Sequence, residues 1–275
     1  SVLLNEADKK GEICIDTETT SLNPHETNLV GLSLSFKTGH AYYIPLGHKE
    51  GQNLNEKEVL KILKPTLEDP SIKKIGQNIK FDFIVLFKRG IEMNSMEDTM
   101  LMSYVLDAGK NRHNMDTLSK IHLDHSPISF KDLVGTGKKQ INFSDVKIEE
   151  AKNYAAEDAD ITYRLYKNFI NNLKSEKLLN IYEIFEKPLI KILSMMEING
   201  VKIDEKFLKK LSKKFQNKIE NLEKSIFKIS GKKFKIGSTK QLGEIMYNDL
   251  KIAALKKTKN GSFATSASVL EDLAF

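Results

Sequence analysis

The amino-acid sequence predicts an α/β fold in which a sheet forms early in the chain, helices pack around it, and an α-helical region follows. Segments rich in β-branched and aromatic residues lie almost entirely before residue 76, whereas later segments repeat apolar residues at helical spacing. The chain of 275 residues is long enough for one complete α/β domain and a smaller partner.

Four segments are predicted as strands because they are short, apolar and bounded by turn signals such as Thr38-Gly39. They comprise residues 12–15, 29–37, 40–46 and 73–75. The first strand is predicted to end where Asp16 begins. Asp16 and Glu18 would then follow the carboxyl end of a buried strand, a common place for an active site, and would point to the same side.

Helical spacing and capping signals predict the helices of the first part of the chain. Asn55, followed three residues later by Glu58, is a start signal, and Gly90 is a stop signal. The predicted helices comprise residues 55–67, 78–88, 98–106, 115–122 and 149–172.

The second part of the chain is predicted to be helical throughout. A helix over residues 183–198 stops at Asn199-Gly200, and Asp204 caps a long amphipathic helix that runs to about residue 230. Shorter helices are predicted after Ser238 and over residues 266–273, separated by a basic loop at residues 256–261.

Charge is distributed unevenly between the two parts. Residues 175–275 contain 20 lysines and 12 acidic residues, a net charge of +8, whereas residues 1–174 carry a net charge of −2. A basic helical surface suits contact with the backbone of duplex DNA, because lysine neutralises phosphates. The alternative is a solvated helix face, the usual role of a run of charges.

Composition restricts the class of protein. The single cysteine, Cys14, excludes disulfide bonds within the chain and is predicted to be a small buried core residue. The sequence contains neither a long apolar run nor a signal-peptide pattern, so we expect a soluble, intracellular protein.

Three acidic runs share one type of chemistry. They contain Asp16 with Glu18, then Asp82, and finally Tyr154 with Asp158. Mg²⁺ and Mn²⁺ prefer oxygen ligands, and enzymes that cut phosphodiesters commonly use two such ions. Four carboxylates and a phenol therefore predict a two-metal phosphodiesterase site. For Asp82 the alternative is an acid that stabilises the N-terminus of a helix.

Longer motifs add a family resemblance. The acidic runs, together with Tyr43-Ile44-Pro45 and Asp98-Thr99-Met100, resemble in order and spacing the proofreading 3′-to-5′ exonuclease domain of family A DNA polymerases, of the bacterial DNA polymerase I type. Residues 199–204 and 238–242 resemble the start of the polymerase region in that family. The similarity runs over essentially the whole chain.

This resemblance implies a ribonuclease H-like exonuclease domain with a mixed sheet flanked by helices over residues 1–174. Residues 175–275 would be the helical start of the polymerase domain, a partial thumb without palm and fingers. The chain would then be a piece of a larger bacterial polymerase, or less favourably a reduced natural protein. We expect a monomer, cytoplasmic and associated with the nucleoid.

The resemblance also implies roles at the acidic site. Asp16, Glu18 and Asp158 would hold a first Mg²⁺ or Mn²⁺, and Asp82 would hold a second, with Asp16 bridging the two ions. Zn²⁺ could occupy one of these positions. Tyr154 would orient the attacking water rather than act as a base, because a phenol titrates near pH 10. The alternative for Tyr154 is a core tyrosine beside Ala155 and Ala156.

Five further residues match positions that contact the substrate in that family: Leu22, Gln77, Asn78, Arg112 and Phe130. Leu22 would wedge against the terminal bases and Phe130 would stack on one of them, a contact that does not depend on base identity. The three polar side chains would contact the sugar or phosphate of the terminal nucleotides. Ordinary burial in the core is the alternative for Leu22 and Phe130.

These features predict a 3′-to-5′ exodeoxyribonuclease that removes nucleotides from DNA 3′ ends as part of a DNA polymerase used in replication and repair. A single-stranded 3′ end would bind at the acidic site and duplex primer-template at the basic region. Two alternatives stay open. One is a ribonuclease D-like exoribonuclease, which the thumb-like C-terminal region disfavours, and the other is a non-catalytic module that holds DNA.

Overall fold

A computed structural model describes residues 2–253 and 263–274 of the chain. The chain divides into two compact units, Ser1–Gly200 and Val201–Phe275. The predicted basic loop at residues 256–261 lies outside the described residues. Within the described ranges, no helix combines the length and the apolar character that a membrane span requires.

The first unit is built on one mixed sheet of five strands. In chain order the strands are β1 (Glu12–Thr19), β2 (Leu29–Lys37), β3 (His40–Pro45), β4 (Lys73–Gly76) and β5 (Met96–Asp98). Their order across the sheet is β3-β2-β1-β4-β5. The pairs β1–β2 and β2–β3 are antiparallel, whereas β1–β4 and β4–β5 are parallel.

Helices cover both faces of this sheet. In chain order they are α1 (Val2–Lys10), α2 (Glu56–Glu68), α3 (Lys80–Phe87), α4 (Thr99–Asp107), α5 (Met115–Leu123), α6 (Phe130–Val134), α7 (Ile148–Ser175), α8 (Leu179–Ile181) and α9 (Lys187–Asn199). Side chains of β1 alternate between the two layers, as a strand requires. Ile13 and Ile15 pack with α2 and α3, whereas Cys14, which is buried as predicted, packs with α7.

The first strand is longer than predicted. Asp16 and Glu18 lie inside β1 and not beyond its end, because the antiparallel ladder with β2 continues through Asp16↔Ser33 and Glu18↔Gly31. The predicted consequence still holds, since alternation within a strand places residues 16 and 18 on the same face. That face is the one covered by α7.

Four labelled elements of the first unit are absent from the sequence prediction: α1, β5, α6 and α8. Strand β5 has only three residues, two of them acidic, so it shows no alternation of apolar and polar side chains. It forms because its backbone pairs with β4. The start signal at Asn55 is confirmed, since its side chain accepts a hydrogen bond from the Glu58 amide.

The segment that follows α7 completes the first unit. Helix α8 leads into a π-helical turn, Tyr182–Glu186, and then into α9, which packs against α3 and β5. Tyr182 and Ile190 are buried there. This unit therefore extends to Gly200, whereas the sequence places the functional boundary after residue 174, a division that stays a prediction.

The second unit contains the long basic helix α10 (Glu205–Ser230), followed by α11 (Thr239–Gly243), a π-helical turn (Glu244–Asp249) and α12 (Ala267–Leu273). As predicted, Asp204 caps α10, accepting a hydrogen bond from the Phe207 amide at 2.9 Å. Gly231, in the left-handed region at φ 68°, ends it. None of the α10 side chains is buried among the described residues, so its apolar stripe stays exposed.

Candidate active site

Three predicted carboxylates converge where the carboxyl-terminal half of β1 packs against α7. One oxygen each from Asp16, Glu18 and Asp158 lies within 4.8 Å of the other two. Strand alternation brings Asp16 and Glu18 to the face that α7 covers, and α7 contributes Asp158. Among the described residues this is the one group of histidine, cysteine and acidic side chains close enough to hold a metal ion.

A glycine on the neighbouring strand makes room at this group. Gly31 pairs with Glu18, and a Cβ atom at Gly31 would lie 2.2 Å from the hydroxyl oxygen of Tyr43. Any larger residue would therefore displace the Tyr43 ring. That hydroxyl contacts His48 Nε2 at 2.6 Å, and His48 Nδ1 lies 2.9 Å from the Val146 carbonyl. This chain of contacts fixes the sheet to the segment that precedes α7.

The carboxylates destabilise one another in their charged forms. Burial raises the pKa of Asp16 to about 6. Burial first, and the neighbouring acids second, raise the pKa values of Glu18, Asp82 and Asp158 well above their ordinary range. Glu18 Oε1 is buried without a hydrogen-bond partner among the described residues. An orphaned acidic oxygen in a group of carboxylates fits the oxygen ligation that divalent cations prefer.

Asp82 lies in the first turn of α3, where the alternative interpretation places it. It is buried, and its Oδ1 accepts hydrogen bonds from the backbone amide and hydroxyl of Thr17 at 2.9 and 2.6 Å. Thr17 separates Asp16 and Glu18 in β1, so these bonds tie the helix to the carboxylate group. Asp82 lines the same cavity but lies outside the set of three converging oxygens.

Tyr154 lies one turn before Asp158 on α7 and is half-buried. Its ring centroid is 6.1 Å from that of Phe143 and 5.9 Å from that of Phe130. Burial and the carboxylates of Asp158 and Glu18 raise the pKa of Tyr154 far above its ordinary value, so the phenol keeps its proton at neutral pH. The neighbouring Tyr154 hydroxyl in turn lowers the pKa of Asp158.

A cavity of about 540 Å³ opens over these groups. Leu22 lines it with 94% of its side chain exposed, which excludes the core interpretation for that residue. Phe130 also lines the cavity, is 42% exposed, and stacks on Phe143 with ring centroids 6.3 Å apart. Both apolar side chains are therefore available to a ligand.

The predicted polar contacts divide into two groups. Gln77 and Asn78 line the cavity, and the Gln77 side chain donates a hydrogen bond to the His113 carbonyl at 2.8 Å. Arg112, an exposed residue between α4 and α5, is not part of the cavity lining. The structure thus brings four of the five predicted substrate contacts to the carboxylates and leaves Arg112 outside.

Residues 140–143 form a wall of the cavity that the sequence did not predict. Asn142 caps a 3₁₀ turn, Phe143–Asp145, and its side-chain nitrogen donates to the Thr20 carbonyl at 2.6 Å. This contact fixes the wall to the loop that carries Leu22. The sequence signal was the Asn142-Phe143-Ser144 capping pattern, which is too short to indicate a site by itself.

The pKa shifts lead to a prediction about metal binding. Carboxylic acids that hold protons in the metal-free protein must release them when a cation binds, so Mn²⁺ binding should release protons. We expect calorimetric titrations of Mn²⁺ at about pH 6 to give enthalpies that differ between buffers of different ionisation enthalpy, with a smaller difference at about pH 8. Equal enthalpies in all buffers at both pH values would contradict the assignment.

The thermal stability of the metal-free protein should depend on pH through the same carboxyl groups. A carboxyl whose pKa is raised on folding costs nothing below its ordinary pKa and destabilises the fold increasingly up to its folded pKa. For Asp16 this window runs from 3.8 to about 6. The melting temperature of the metal-free protein should therefore fall as pH rises through this window, and Mn²⁺ should raise it most above the window.

Two family models match the chain. Residues 1–174 match the family described as 3′-5′ exonuclease, and residues 205–275 match DNA polymerase family A. The chain is 42% identical to DNA polymerase I of Rhizobium leguminosarum over 96% of its length, and 40% identical to DNA polymerase I of Pseudomonas aeruginosa over 95%. These alignments cover 28% and 30% of the relatives, so the chain spans less than a third of their length.

Solved structures show the same fold. The POL domain of Pol1 from M. smegmatis, in complex with DNA primer-template and dNTP, superimposes with a TM-score of 0.73 at 22% identity, over 99% of this chain and 43% of that chain. NrnC of Brucella melitensis superimposes with a TM-score of 0.55 at 24% identity, over 69% of this chain and 86% of that chain. The predicted fold, an α/β exonuclease domain with a mixed sheet followed by polymerase-like helices, is confirmed.

Proposed function

Since the chain belongs to the 3′-5′ exonuclease family found in DNA polymerase I relatives, we propose that its first unit removes nucleotides one at a time from DNA 3′ ends and serves as the proofreading part of a DNA polymerase I. The observation that carries this proposal is the convergence of Asp16, Glu18 and Asp158, in which the buried Oε1 of Glu18 has no hydrogen-bond partner among the described residues. Such a donor set suits the chemistry of phosphodiester hydrolysis.

Two divalent cations, Mg²⁺ or Mn²⁺ with Zn²⁺ as an option at one position, would supply Lewis acidity and an activated water. Asp16, Glu18 and Asp158 would hold one ion. Asp82, already fixed by Thr17, would hold the other together with Asp16. All four of these carboxylates line the cavity described above.

The remaining side chains would position the strand and the nucleophile. Tyr154 keeps its proton, so it can donate a hydrogen bond to the attacking water or to Asp158 but cannot accept a proton. Leu22 and Phe130 present apolar surface at the cavity, which suits stacking against any base. Gln77 and Asn78 supply amide groups for the sugar and phosphate of the terminal nucleotide, and Arg112 would act from outside the cavity.

The alternatives differ in substrate or in activity. The curated relatives are DNA polymerases, and residues 205–275 match DNA polymerase family A, which favours DNA over RNA as the substrate. The likeness to NrnC concerns the fold alone. A module that only holds DNA would not need three carboxylates at one point, because repulsion among buried acids is costly.

A digestion assay separates these functions. We expect the chain to shorten a 5′-labelled single-stranded DNA from its 3′ end in Mg²⁺ or Mn²⁺, to stop when EDTA is added, and to leave an RNA of the same sequence largely intact. Preferential digestion of RNA would establish the exoribonuclease alternative. Binding without digestion in any of the metals would establish the non-catalytic alternative.

We further propose that the second unit contacts duplex primer-template through α10. Its lysines at positions 206, 209, 210, 213 and 214 are exposed, and within the described residues no side chain of this helix is buried. Lys209 lies 3.3 Å from Glu205, an exposed pair that water screens, so its charge stays available to a phosphate. We also propose that the protein is a monomer in the bacterial cytoplasm, associated with the nucleoid, a proposal supported by its likeness to bacterial DNA polymerase I.

Salt dependence tests this contact. Affinity for a primer-template should fall with rising salt at a log–log slope of about −0.9 for each phosphate neutralised. Replacing Lys209, Lys213 and the undescribed Lys257 by glutamine should flatten the slope by about 0.9 for each phosphate that is no longer neutralised and leave digestion of short single strands unchanged. The control is Lys57→Gln with Lys61→Gln, two exposed lysines of α2. If the variant at positions 209, 213 and 257 keeps the salt slope of the parent, as the control variant should, the α10 lysines are only solvated.

A further inference from the structure

The loop that joins β4 to α3 carries two of the cavity amides in a conformation that needs support. Asn78, which lines the cavity, has a φ angle of +59°. This left-handed region is uncommon for residues other than glycine, although asparagine adopts it more readily than most. Such a conformation persists only where surrounding contacts fix the backbone.

One buried carboxylate fixes this backbone. Asp98, the last residue of β5, is 2% exposed and outside the group of metal-binding acids. Its Oδ1 accepts the backbone amide of Asn78 at 3.1 Å and its Oδ2 that of Ile79 at 3.0 Å. Two consecutive amides facing one carboxylate define the turn at which the Asn78 side chain meets the cavity.

The same carboxylate also caps α4. Its Oδ1 accepts the amides of Met100 at 2.8 Å and Leu101 at 3.3 Å, so one side chain ties the start of a helix to the cavity loop. Thr99 adds to the connection, since its hydroxyl lies 3.1 Å from the Gly76 carbonyl and also contacts the Gln77 side chain. Asp98 and Thr99, which form the corner between β5 and α4, thus hold the two residues that carry the cavity amides. We call these two residues the β5–α4 corner.

The corner is fixed in turn by the segment after α7. The backbone amide of Asp98 donates to the Tyr182 hydroxyl at 2.9 Å, and that hydroxyl donates to Glu97 at 3.0 Å. Lys187 pairs with the other oxygen of Glu97 at 2.6 Å. Glu97 is 1% exposed and Tyr182 is fully buried, so their hydrogen bond is shielded from water.

We propose that Asp98 is a positioning residue of the exonuclease site: it holds Asn78 in the left-handed conformation that presents its amide to the terminal nucleotide. Asp98 acts on strand binding through the loop and does not act on metal binding, because β1 and α7 carry Asp16, Glu18 and Asp158, and Thr17 holds Asp82 through two hydrogen bonds. This inference rests on the function proposed above, since it assigns Asn78 to the DNA strand.

The variant Asp98→Asn tests the inference, because the amide keeps the shape of the side chain but replaces an accepting oxygen by a donor. We expect the KM for single-stranded DNA to rise about tenfold, while kcat changes by less than about threefold. Mn²⁺ affinity should equal that of the parent. The softer variant Tyr182→Phe removes only the hydroxyl that supports Asp98 and should raise the KM by a smaller factor.

A double-mutant cycle separates positioning from general loss of stability. If Asp98 acts through Asn78, then Asp98→Asn should raise the KM little further once Asn78→Ala is present. Asp69→Asn is the matched control, because Asp69 also accepts a backbone amide, that of Ser71 at 2.8 Å, but does not line the cavity. It should lower the melting temperature without changing the KM.

The outcomes distinguish this inference from the proposed function. A parent chain that digests no DNA overturns the proposed function, and the affinity of a labelled single-stranded oligonucleotide in Ca²⁺ still tests Asp98. Unchanged KM and unchanged oligonucleotide affinity in Asp98→Asn overturn the inference, as do fully additive effects in the cycle. A lower Mn²⁺ affinity in Asp98→Asn would also overturn it, because Asp98 would then act on the metal site.

Discussion

Replacing Asp158 by alanine is expected to abolish digestion of single-stranded DNA, with a loss of at least about 10³-fold in turnover. Asp158 supplies one of three oxygens that lie within 4.8 Å of one another, so its removal leaves two acids to hold the ion. The same loss is expected for Asp16→Ala, because Asp16 belongs to the same group and would bridge both ions. Turnover is measured on a 5′-labelled oligonucleotide with Mg²⁺ supplied.

The thermal stability of the metal-free protein should not fall in Asp158→Ala, although turnover does. Asp158 is 4% exposed and its pKa is raised first by burial and then by Asp16, so the charged side chain opposes folding when no cation is bound. Asp158→Ala should therefore melt no lower than the parent in EDTA and lower than the parent in Mn²⁺. If Asp158 had only a structural role, its replacement would instead lower the melting temperature in EDTA and not specifically in Mn²⁺.

Glu150→Ala is the matched control for this variant. Glu150 is an exposed acid on the same helix, and its replacement should leave both turnover and Mn²⁺ affinity at the parent values. If Asp158→Ala or Asp16→Ala digests the labelled strand at the parent rate, the carboxylate group is not the active site.

Removal of the Tyr154 hydroxyl is expected to lower turnover by roughly 10²-fold, the scale for losing one positioning group. In Tyr154→Phe the ring keeps its place beside Phe130 and Phe143, and all four carboxylates remain. Mn²⁺ affinity should therefore be close to that of the parent. Single-turnover cleavage together with calorimetric titration of Mn²⁺ measures the two quantities separately.

The control is another tyrosine of α7. Tyr163 also donates its hydroxyl to a carboxylate, Glu12 at 2.6 Å, but it does not line the cavity. Tyr163→Phe should change melting temperature and leave turnover within about twofold of the parent. Loss of Mn²⁺ binding in Tyr154→Phe would show that Tyr154 is structural, and an unchanged turnover would remove it from the mechanism.

The sequence predicted the broad fold well because its strongest signals are local. Strand β2 and helix α10 match their predicted bounds, since a long apolar run and a capped amphipathic helix can each be recognised without knowledge of their neighbours. The spacing of Tyr154 and Asp158 likewise predicted one helical face. The convergence of this face with Asp16 and Glu18 was expected from the motifs and family resemblance rather than from spacing alone.

The remaining features depend on contacts between segments distant in sequence. Strand β5 has no pattern of its own and forms by pairing with β4, and the extension of β1 to Thr19 requires β2. The role inferred for Asp98 could not be predicted either. Its motif resembles the family, but only the folded chain shows that its carboxylate faces the amides of Asn78 and Ile79.

The buried Tyr182 has a consequence for the design of chimaeric polymerases. Residues 175–204 are matched by neither family model, so an exchange of proofreading modules between relatives guided by those models would join the sequences at residue 174. Such a graft would place the recipient's own segment, instead of Tyr182, Lys187 and the rest of helix α9, against a foreign β5 that carries Glu97 and Asp98. Joining the two parents after Gly200 instead transfers the whole first unit, including the helices that hold its β5–α4 corner in place.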